Sequence, residues 1–352
     1  MHEILPDLET ILKQAVAARQ PLIDADPKHE SCFRLLYGFY EGCRELAIDI
    51  YAKTAVFHNY AKLPADGDQS VSIARQFIMI NLPWVESILL KVRKGETPEA
   101  KNGILIYGDK LDKSVRENGV RYSIDLTMNR DASLYLDTRN LREWLKNNSE
   151  GKTILNTFAY TGSLGVAAMA GGAKQVIQTD LNKKFLNVAK TSYTLNGFPI
   201  NKKEFIARDF FSMVKQFNKD GHPFDMVILD PPFFSKTGKG KVDMAEDIGR
   251  LINRIRPLVA NGGHIVAINN ALFVSGQEYK QQLEDIAGHR FVRIVEEIDG
   301  PFDFAGYEQT VVDVPVTDPR PFNHSTKIAV LEIWHKQKFG RGRDTSITRK
   351  KK

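Results

Sequence analysis

The sequence predicts an α/β fold, with a doubly wound, mostly parallel sheet that carries an antiparallel edge strand and follows a smaller mixed α/β domain. After about residue 120, short β-branched runs alternate with helical segments, which is typical of strands joined by crossover helices. The length of 352 residues predicts about two domains at roughly 100–200 residues each. Hydrophobic residues make up 42% and charged residues 26% of the chain, which excludes a mainly disordered chain or a disulfide scaffold.

Composition also predicts the compartment. The chain contains two cysteines, Cys32 and Cys43, which suits a reducing environment and leaves no zinc pattern. No apolar run approaches the roughly 18 residues that a membrane span needs. The segment MHEILPDLET (1–10) has acids where a signal peptide has a basic region. We therefore expect a cytoplasmic protein.

The first 120 residues read as a helix followed by mixed elements. Apolar residues at helical spacing predict a helix over 3–19, which Pro21 and the DADP stretch (24–27) end. We divide the chain into an N-terminal helix (1–26), a small α/β domain (27–120), a catalytic domain (121–335) and a basic disordered tail (336–352). Within the small domain, the patterns predict strands in 33–40 and 46–61, a helix over 72–82, and strands at 86–93 and 104–109.

Five β-branched runs form the predicted parallel sheet. They are spaced by helices from Leu164 and over 183–195. A later run at 327–334 follows a long loop and is a candidate antiparallel edge strand. The predicted parallel strands are 152–158, 174–180, 204–209, 224–230 and 264–269.

Distinctive residues follow these strands, and in such sheets ligands bind at the carboxyl ends of the strands. The first strand leads into a turn that offers unpaired N–H donors at the start of the next helix. Asp180 ends the second strand, where a carboxylate can accept both hydroxyls of a ribose. Asp209 ends the third, beside Phe210, and this pair suits an adenine ring. Alone, either Asp could equally be a helix cap. The candidate turn residues are Phe158, Tyr160, Thr161 and Gly162.

The turn lacks the G-x-G-x-x-G fingerprint of nicotinamide enzymes, since only Gly162 and Gly165 are present. A ligand with an adenosine but no pyrophosphate fits better. The sequence therefore predicts S-adenosylmethionine as the cofactor.

The fourth strand ends in Asp230-Pro231-Pro232-Phe233. Two prolines remove N–H donors, so the neighbouring carbonyl and the Asp230 side chain can both accept hydrogen bonds from the amine or amide edge of a planar base. Phe233 can stack on the face of that base. Positioning a nitrogen for attack on an activated methyl group supplies most of the catalysis. A lone Pro-Pro, by contrast, is usually only a turn.

A family resemblance rests on five stretches of the sequence: 33–51, 133–145, 155–173, 179–197 and 228–235. In these stretches the chain resembles the bacterial large-subunit (23S) ribosomal RNA methyltransferases of the class I S-adenosylmethionine-dependent type. The resemblance implies a Rossmann-like class I methyltransferase domain, an RNA-binding or substrate-binding role for 27–120, and ribosomal RNA as the partner. It also implies that Asp137 and Arg139 help to hold the methionine part of the cofactor.

The family includes members that methylate cytosine C5 and members that methylate guanine N7. The C5 reaction needs a nucleophile, normally a Cys thiolate, and both cysteines lie before residue 50. Asn269-Asn270 also look more like the nitrogen-methylating branch. We therefore favour guanine N7. The alternatives are a methyltransferase for a protein or small molecule, or a non-catalytic RNA-binding ribosome-assembly factor.

Three further features allow two interpretations each. The loop 235–241 carries three lysines that either contact phosphate or are simply solvated. Aromatic residues in the loop 299–326 either close over a flipped base or, as we favour, belong to the core. The formal charge is +6, yet the tail 336–352 holds eight bases and one acid, so the other 335 residues sum to −1. Given an RNA substrate, we favour this tail as a phosphate tether over a solubilising end.

The eight histidines show no metal-ligand spacing, and no metal site is predicted.

Overall fold

The computed structural model describes residues 7–243, 248–288 and 291–335. The predicted basic tail (336–352) lies outside the described residues, and so does the start of the predicted N-terminal helix.

The small domain is a five-stranded sheet with the order β1-β2-β3-β4-β5. Its strands β3 and β4 run parallel because helix α3 connects them, and its other neighbours are antiparallel. Apolar side chains of α1 and α3 pack on this sheet. The elements are α1 (Leu8–Asp24), β1 (Cys32–Tyr37), α2 (Gly38–Glu41), β2 (Leu46–Tyr51), β3 (Thr54–Asn59), α3 (Asp68–Asn81), β4 (Ser87–Val92), α4 (Pro98–Asn102) and β5 (Ile104–Tyr107).

Helix α1 continues through Pro21, so the prediction that this residue helps to end it is wrong, and it ends at Asp24, where the predicted DADP stretch begins. Its inner face is buried: Leu12 and Ala15 are 0% exposed against the sheet. This tertiary packing outweighs the loss of one backbone donor at Pro21.

A hairpin and a helix connect the two sheets: β6 (Ser114–Glu117), β7 (Val120–Ser123) and α5 (Arg139–Asn148). The sequence patterns did not predict this hairpin. One continuous apolar cluster joins residues of the small domain, such as Val56, to the hairpin and to residues of the large sheet's helices, such as Tyr193. The two sheets therefore share part of their core.

The large sheet has seven strands in the order β10-β9-β8-β11-β14-β16-β15. The first five are parallel, and β16 is antiparallel to both of its neighbours. Its elements are β8 (Thr153–Thr157), α6 (Ser163–Ala170), β9 (Gln175–Asp180), α7 (Lys183–Leu195), β10 (Phe205–Ala207), α8 (Phe210–Asp220), β11 (Phe224–Leu229), β12 (Phe234–Thr237), β13 (Gly240–Asp243), α9 (Ile248–Ile255), β14 (Val259–Asn269), α10 (Gly276–Ala287), β15 (Val292–Ile298), α11 (Phe302–Ala305) and β16 (Lys327–Ile333).

This sheet confirms the predicted fold class, including all five parallel strands. Two details of the prediction are wrong. Strand β16 is antiparallel but lies one place in from the edge, because the unpredicted strand β15 covers it. The predicted loop 235–241 is part of the hairpin β12–β13.

Candidate active site

The chain reverses its direction of winding between β8 and β11, which are neighbours in the sheet but not in sequence. Ligands of such sheets bind at this switch point, outside the carboxyl ends of the strands. A cavity of about 280 Å³ opens there. Eight of the predicted site residues line it: Phe158, Tyr160, Asp180, Asp209, Phe210, Asp230, Pro231 and Pro232.

The turn after β8 takes a backbone shape that ordinary residues rarely adopt. Phe158 and Tyr160 both have a φ of 52°, and Gly162 has a φ of 77°. A β-carbon on Gly162 would lie 2.5 Å from the Cβ of Ala189, so only glycine fits. Left-handed non-glycine residues each cost on the order of 1 kcal/mol. Such strain persists only where the surroundings fix it, which is typical of binding sites.

Three hydrogen bonds join this turn to neighbouring segments of the chain. The Ala159 N–H donates to the Thr179 carbonyl at 2.8 Å, and the Tyr160 N–H donates to Asp180 Oδ2 at 2.9 Å. The hydroxyl of buried Thr161 donates to the Ser133 carbonyl. Thr161 and Gly162 therefore shape the turn without lining the cavity.

Asp180 binds the turn with one oxygen and the start of α7 with the other. Its Oδ1 accepts from the Asn182 N–H at 2.8 Å. Burial raises the pKa of this carboxyl, and the backbone donors partly oppose that rise. Because a carboxylate offers about four lone-pair sites, both oxygens retain capacity to accept ribose hydroxyls from the cavity side.

Two aromatic rings stack at the wall of this cavity. Phe158 and Phe210 have centroids 4.6 Å apart and planes 25° apart. Asp209 accepts from the Ser212 N–H at 3.1 Å and so caps α8, as the helix-cap interpretation predicts. It lines the cavity as well. The sequence analysis missed Tyr135, Phe185 and Arg208, which also line this cavity. Tyr135 and Phe185 do not directly follow a strand, whereas Arg208 directly follows β10.

Asp230 lies between this cavity and a larger one of about 770 Å³. Tyr135 and Asn270 also line both cavities. Burial, with a smaller contribution from the negative charge of Asp137, raises the pKa of Asp230 to about 7. The group is therefore poised between its acid and its carboxylate near neutral pH, a property that is frequent at catalytic sites.

The larger cavity lies between the two sheets, and its volume falls within the roughly 300–1,000 Å³ typical of ligand sites. The small domain supplies much of its wall. Arg34 is fixed there by two bonds to Asp49, at 2.8 and 3.1 Å, and its guanidinium lies over the ring of Phe304. Aromatic side chains from the small domain add stacking surfaces: Tyr37, Phe39, Tyr40, Tyr51 and Tyr60.

Besides Thr161 and Gly162, three predicted site residues do not line the smaller cavity. Asp137 lines the larger cavity, where it accepts from the Thr326 hydroxyl at 2.5 Å. Arg139 lines neither cavity and forms an ion pair with Asp303, whose side chain is fully buried. Asp303 therefore pairs with the Arg139 guanidinium in this structure, and the contact of Arg139 with the cofactor stays a prediction. Phe233 is 46% exposed and also lines neither cavity.

The aromatic loop 299–326 is only partly core. Phe304 is 6% exposed, as the core interpretation predicts, but Phe302 is 72% exposed.

Within the described ranges, no group of three or more His, Cys, Asp or Glu side chains could hold a metal. No helix in those ranges is long and apolar enough to cross a membrane.

The smaller cavity fits an adenosine-containing ligand. It combines a turn with room for glycine alone, a carboxylate for ribose hydroxyls and a stacked pair of apolar rings. Asp180, Phe158 and Phe210 would hold the nucleoside, and Asp230 would face the reactive end.

Comparison with known proteins agrees with this fit. Ribosomal RNA large subunit methyltransferase I of Aliivibrio fischeri is 30% identical over 306 residues, which cover 84% of this chain and 76% of that protein. Ribosomal RNA large subunit methyltransferase K/L of Shewanella sediminis is 31% identical; the match covers 74% of this chain and 36% of that longer protein.

Two solved structures share the fold. One is a methyltransferase complexed with SAH, with a TM-score of 0.78 and 23% identity over 93% of this chain and 81% of that chain. The other, a SAM-dependent methyltransferase from Streptococcus mutans, has a TM-score of 0.76 and 22% identity over 94% of this chain and 83% of that chain. Residues 92–311 match the family model described as S-adenosylmethionine-dependent methyltransferase. The chain belongs to the S-adenosylmethionine-dependent methyltransferase family and is an enzyme of that class.

Proposed function

We propose that this enzyme methylates a base nitrogen of 23S ribosomal RNA, with guanine N7 as the favoured atom. The observation that carries the proposal is the position of Asp230, where the cavity that fits the cofactor meets a cavity large enough for a nucleotide. The names of the two relatives support ribosomal RNA as the substrate. A cytoplasmic location is the matching expectation.

The cysteines favour nitrogen over carbon as the acceptor. Cys32 and Cys43 are the only cysteines in the sequence. Both are buried in the small domain and line neither cavity. Burial raises the pKa of the Cys43 thiol to about 12 and that of Cys32 well above its ordinary value. Neither can supply the thiolate that covalent methylation of a pyrimidine C5 requires.

Guanine N7 needs orientation more than activation. S-adenosylmethionine supplies a methyl group on a positively charged sulfur that is already a good leaving group. The N7 lone pair lies in the ring plane and forms the new N–C bond while the S–C electron pair returns to sulfur, so no proton leaves the base. The Asp230 carboxylate would accept a hydrogen bond from the amine or imide edge of the base and fix its angle of approach.

A base that reaches Asp230 must leave its stack. Asp230 lines the larger cavity, and burial dominates its raised pKa. An RNA base that is stacked in a helix would have to be flipped, at a cost of a few kcal/mol. The aromatic wall of the small domain offers stacking partners that offset part of this cost. We assign the small domain this substrate-binding role.

The other candidates predict different results. A methyltransferase for a protein would still label its substrate after ribonuclease treatment of the mixture. A ribosome-assembly factor without catalysis would show no binding of S-adenosylmethionine in calorimetry. Its membership of the methyltransferase family counts against that second candidate.

The ionisation of Asp230 predicts how activity depends on pH. The free-enzyme kcat/KM for RNA should rise through pH values near 7 as the carboxylate forms, because the carboxylate accepts hydrogen bonds and the acid donates one. Asp137 faces this group as a second negative charge, and the phenols of the half-exposed Tyr135 and the buried Tyr279 lie near it. Asp137→Asn should therefore move the apparent pKa of the profile downward. A profile that is flat, or equal in the two proteins, would contradict this role.

The basic tail predicts the salt dependence of RNA binding. Removal of 336–352 deletes eight bases and one acid. It should weaken RNA affinity and flatten the plot of log K against log salt, since each phosphate contact contributes a slope of roughly −0.7 to −0.9. Filter binding at several salt concentrations measures this slope. Calorimetry with S-adenosylmethionine is the control, since the tail should leave cofactor affinity unchanged. An unchanged slope would make the tail a solubilising end.

A further inference from the structure

The turn after β14 presents two large apolar side chains to solvent. Leu272 is 53% exposed and Phe273 is 73% exposed. Leu272 also lines the larger cavity, beside Asn270, so this turn lies at the opening of that cavity. Val314 and Val316, which are 82% and 76% exposed, line the same cavity and extend the apolar opening. Exposed apolar clusters at the edge of a cavity are typical of surfaces that bind a ligand or a macromolecule.

Hydrogen bonds from buried side chains hold the backbone of this turn. The buried Lys327 ammonium donates to the carbonyls of Ala271 at 3.1 Å and Val274 at 3.0 Å, one on each side of the exposed pair. Asn269 Oδ1 accepts from the Ala271 N–H at 2.9 Å. Ala271 and Val274 are themselves buried. Because the backbone is hydrogen-bonded on both sides of Leu272 and Phe273, this short turn, the apolar tip, keeps both side chains exposed.

We propose that Leu272 and Phe273 form a wedge that enters the RNA base stack at the place vacated by the acceptor nucleotide. This inference rests on the proposed function. A base drawn in to Asp230 leaves a gap one base thick in its helix, directly outside the opening where the tip lies. Flat or branched apolar side chains fill such gaps, as they do where proteins insert Phe or Leu between base steps. The aromatic face of Phe273 would stack on the base that remains.

The wedge predicts a loss of activity that depends on whether the target is stacked. The nucleotide that the wild-type enzyme modifies is first located by mass spectrometry of ribosomal RNA. A short RNA spanning it is then tested alone and annealed to its complement. Phe273→Ala should lower kcat/KM on the annealed RNA by about 5- to 150-fold, since base–aromatic stacking contributes roughly 1–3 kcal/mol. On the unannealed RNA the loss should stay below about threefold.

A matched control is available in this chain. Phe302 is 72% exposed, almost the same as Phe273, but lines neither cavity. Phe302→Ala should leave the activity on both RNAs unchanged. The fluorescence of 2-aminopurine, placed next to the target in the annealed RNA, should increase when the wild-type protein binds. Phe273→Ala should suppress that increase.

Several outcomes would overturn the wedge. Phe273→Ala could lower kcat/KM equally on the two RNAs, or lower it on neither. The wild-type enzyme could also methylate only the unannealed RNA, which would mean that it does not open a base stack. A wild-type enzyme that methylates neither RNA, nor ribosomal RNA itself, would instead count against the proposed function.

Discussion

Replacing Asp230 with Asn is expected to lower kcat/KM for RNA methylation by at least about 100-fold, the scale typical for removal of one positioning or charge-stabilising group. The amide keeps the shape of the side chain but removes the carboxylate that the base edge is proposed to need. Asp230→Ala should cause at least the same loss. In both variants S-adenosylmethionine should bind about as it does in the wild type, because the residues proposed for its nucleoside are Asp180, Phe158 and Phe210. Single-turnover methylation and calorimetry measure the two effects separately.

The free energy of unfolding of Asp230→Asn tests whether this variant is correctly folded. The pKa of Asp230 is raised from 3.8 to about 7, so its ionisation destabilises the folded state, and this penalty develops as the pH rises from about 4 to 7. Asp230→Asn should therefore increase the free energy of unfolding above neutral pH, by at most about 4 kcal/mol, and change it little in acid. Asp220→Asn, at an exposed carboxyl at the end of α8, is the matched control. A variant that is less stable yet fully active would contradict the role assigned to Asp230.

Replacing Asp180 with Ala is expected to weaken S-adenosylmethionine binding by about 10- to 100-fold, since hydrogen bonds to a charged group contribute roughly 1.5–3 kcal/mol each. The loss has two causes. The ribose hydroxyls lose their acceptor, and the Tyr160 N–H loses the Asp180 oxygen that holds the left-handed turn. Calorimetry measures the affinity.

Asp220→Ala removes a carboxyl that lines neither cavity and should leave that affinity unchanged. If Asp180→Ala binds the cofactor like the wild type, the smaller cavity is not the nucleoside site. RNA affinity measured without cofactor separates this effect from general damage, since it should be preserved.

Much of this site could be predicted because it follows from local rules. Asp180 and Asp230 each end a β-branched run, and parallel strands bring such ends to one edge of the sheet. Gly162 is recognisable because a strand-to-helix turn at a ligand site requires its backbone freedom. These signals lie within a few residues of each position, so they can be read along the chain.

The missed features depend on partners that are distant in sequence. Arg139 pairs with Asp303, which is 164 residues away, and no local pattern shows that its charge is already neutralised. The larger cavity needs Arg34 from the small domain beside Asp230 from the large sheet. Helix α1 passes Pro21 because packing on the five-stranded sheet stabilises it. Such effects arise from tertiary packing and appear only once the elements are assembled.

The central claim is that the enzyme transfers a methyl group to a base nitrogen of 23S ribosomal RNA, and nucleoside mass spectrometry tests it most directly. Unmodified 23S ribosomal RNA is incubated with the protein and S-adenosylmethionine that carries a deuterated methyl group, then digested to nucleosides. We predict labelled 7-methylguanosine with the wild-type protein and none with Asp230→Asn. Label in 5-methylcytidine, or no label in any nucleoside while a protein in the mixture becomes labelled, would contradict the account.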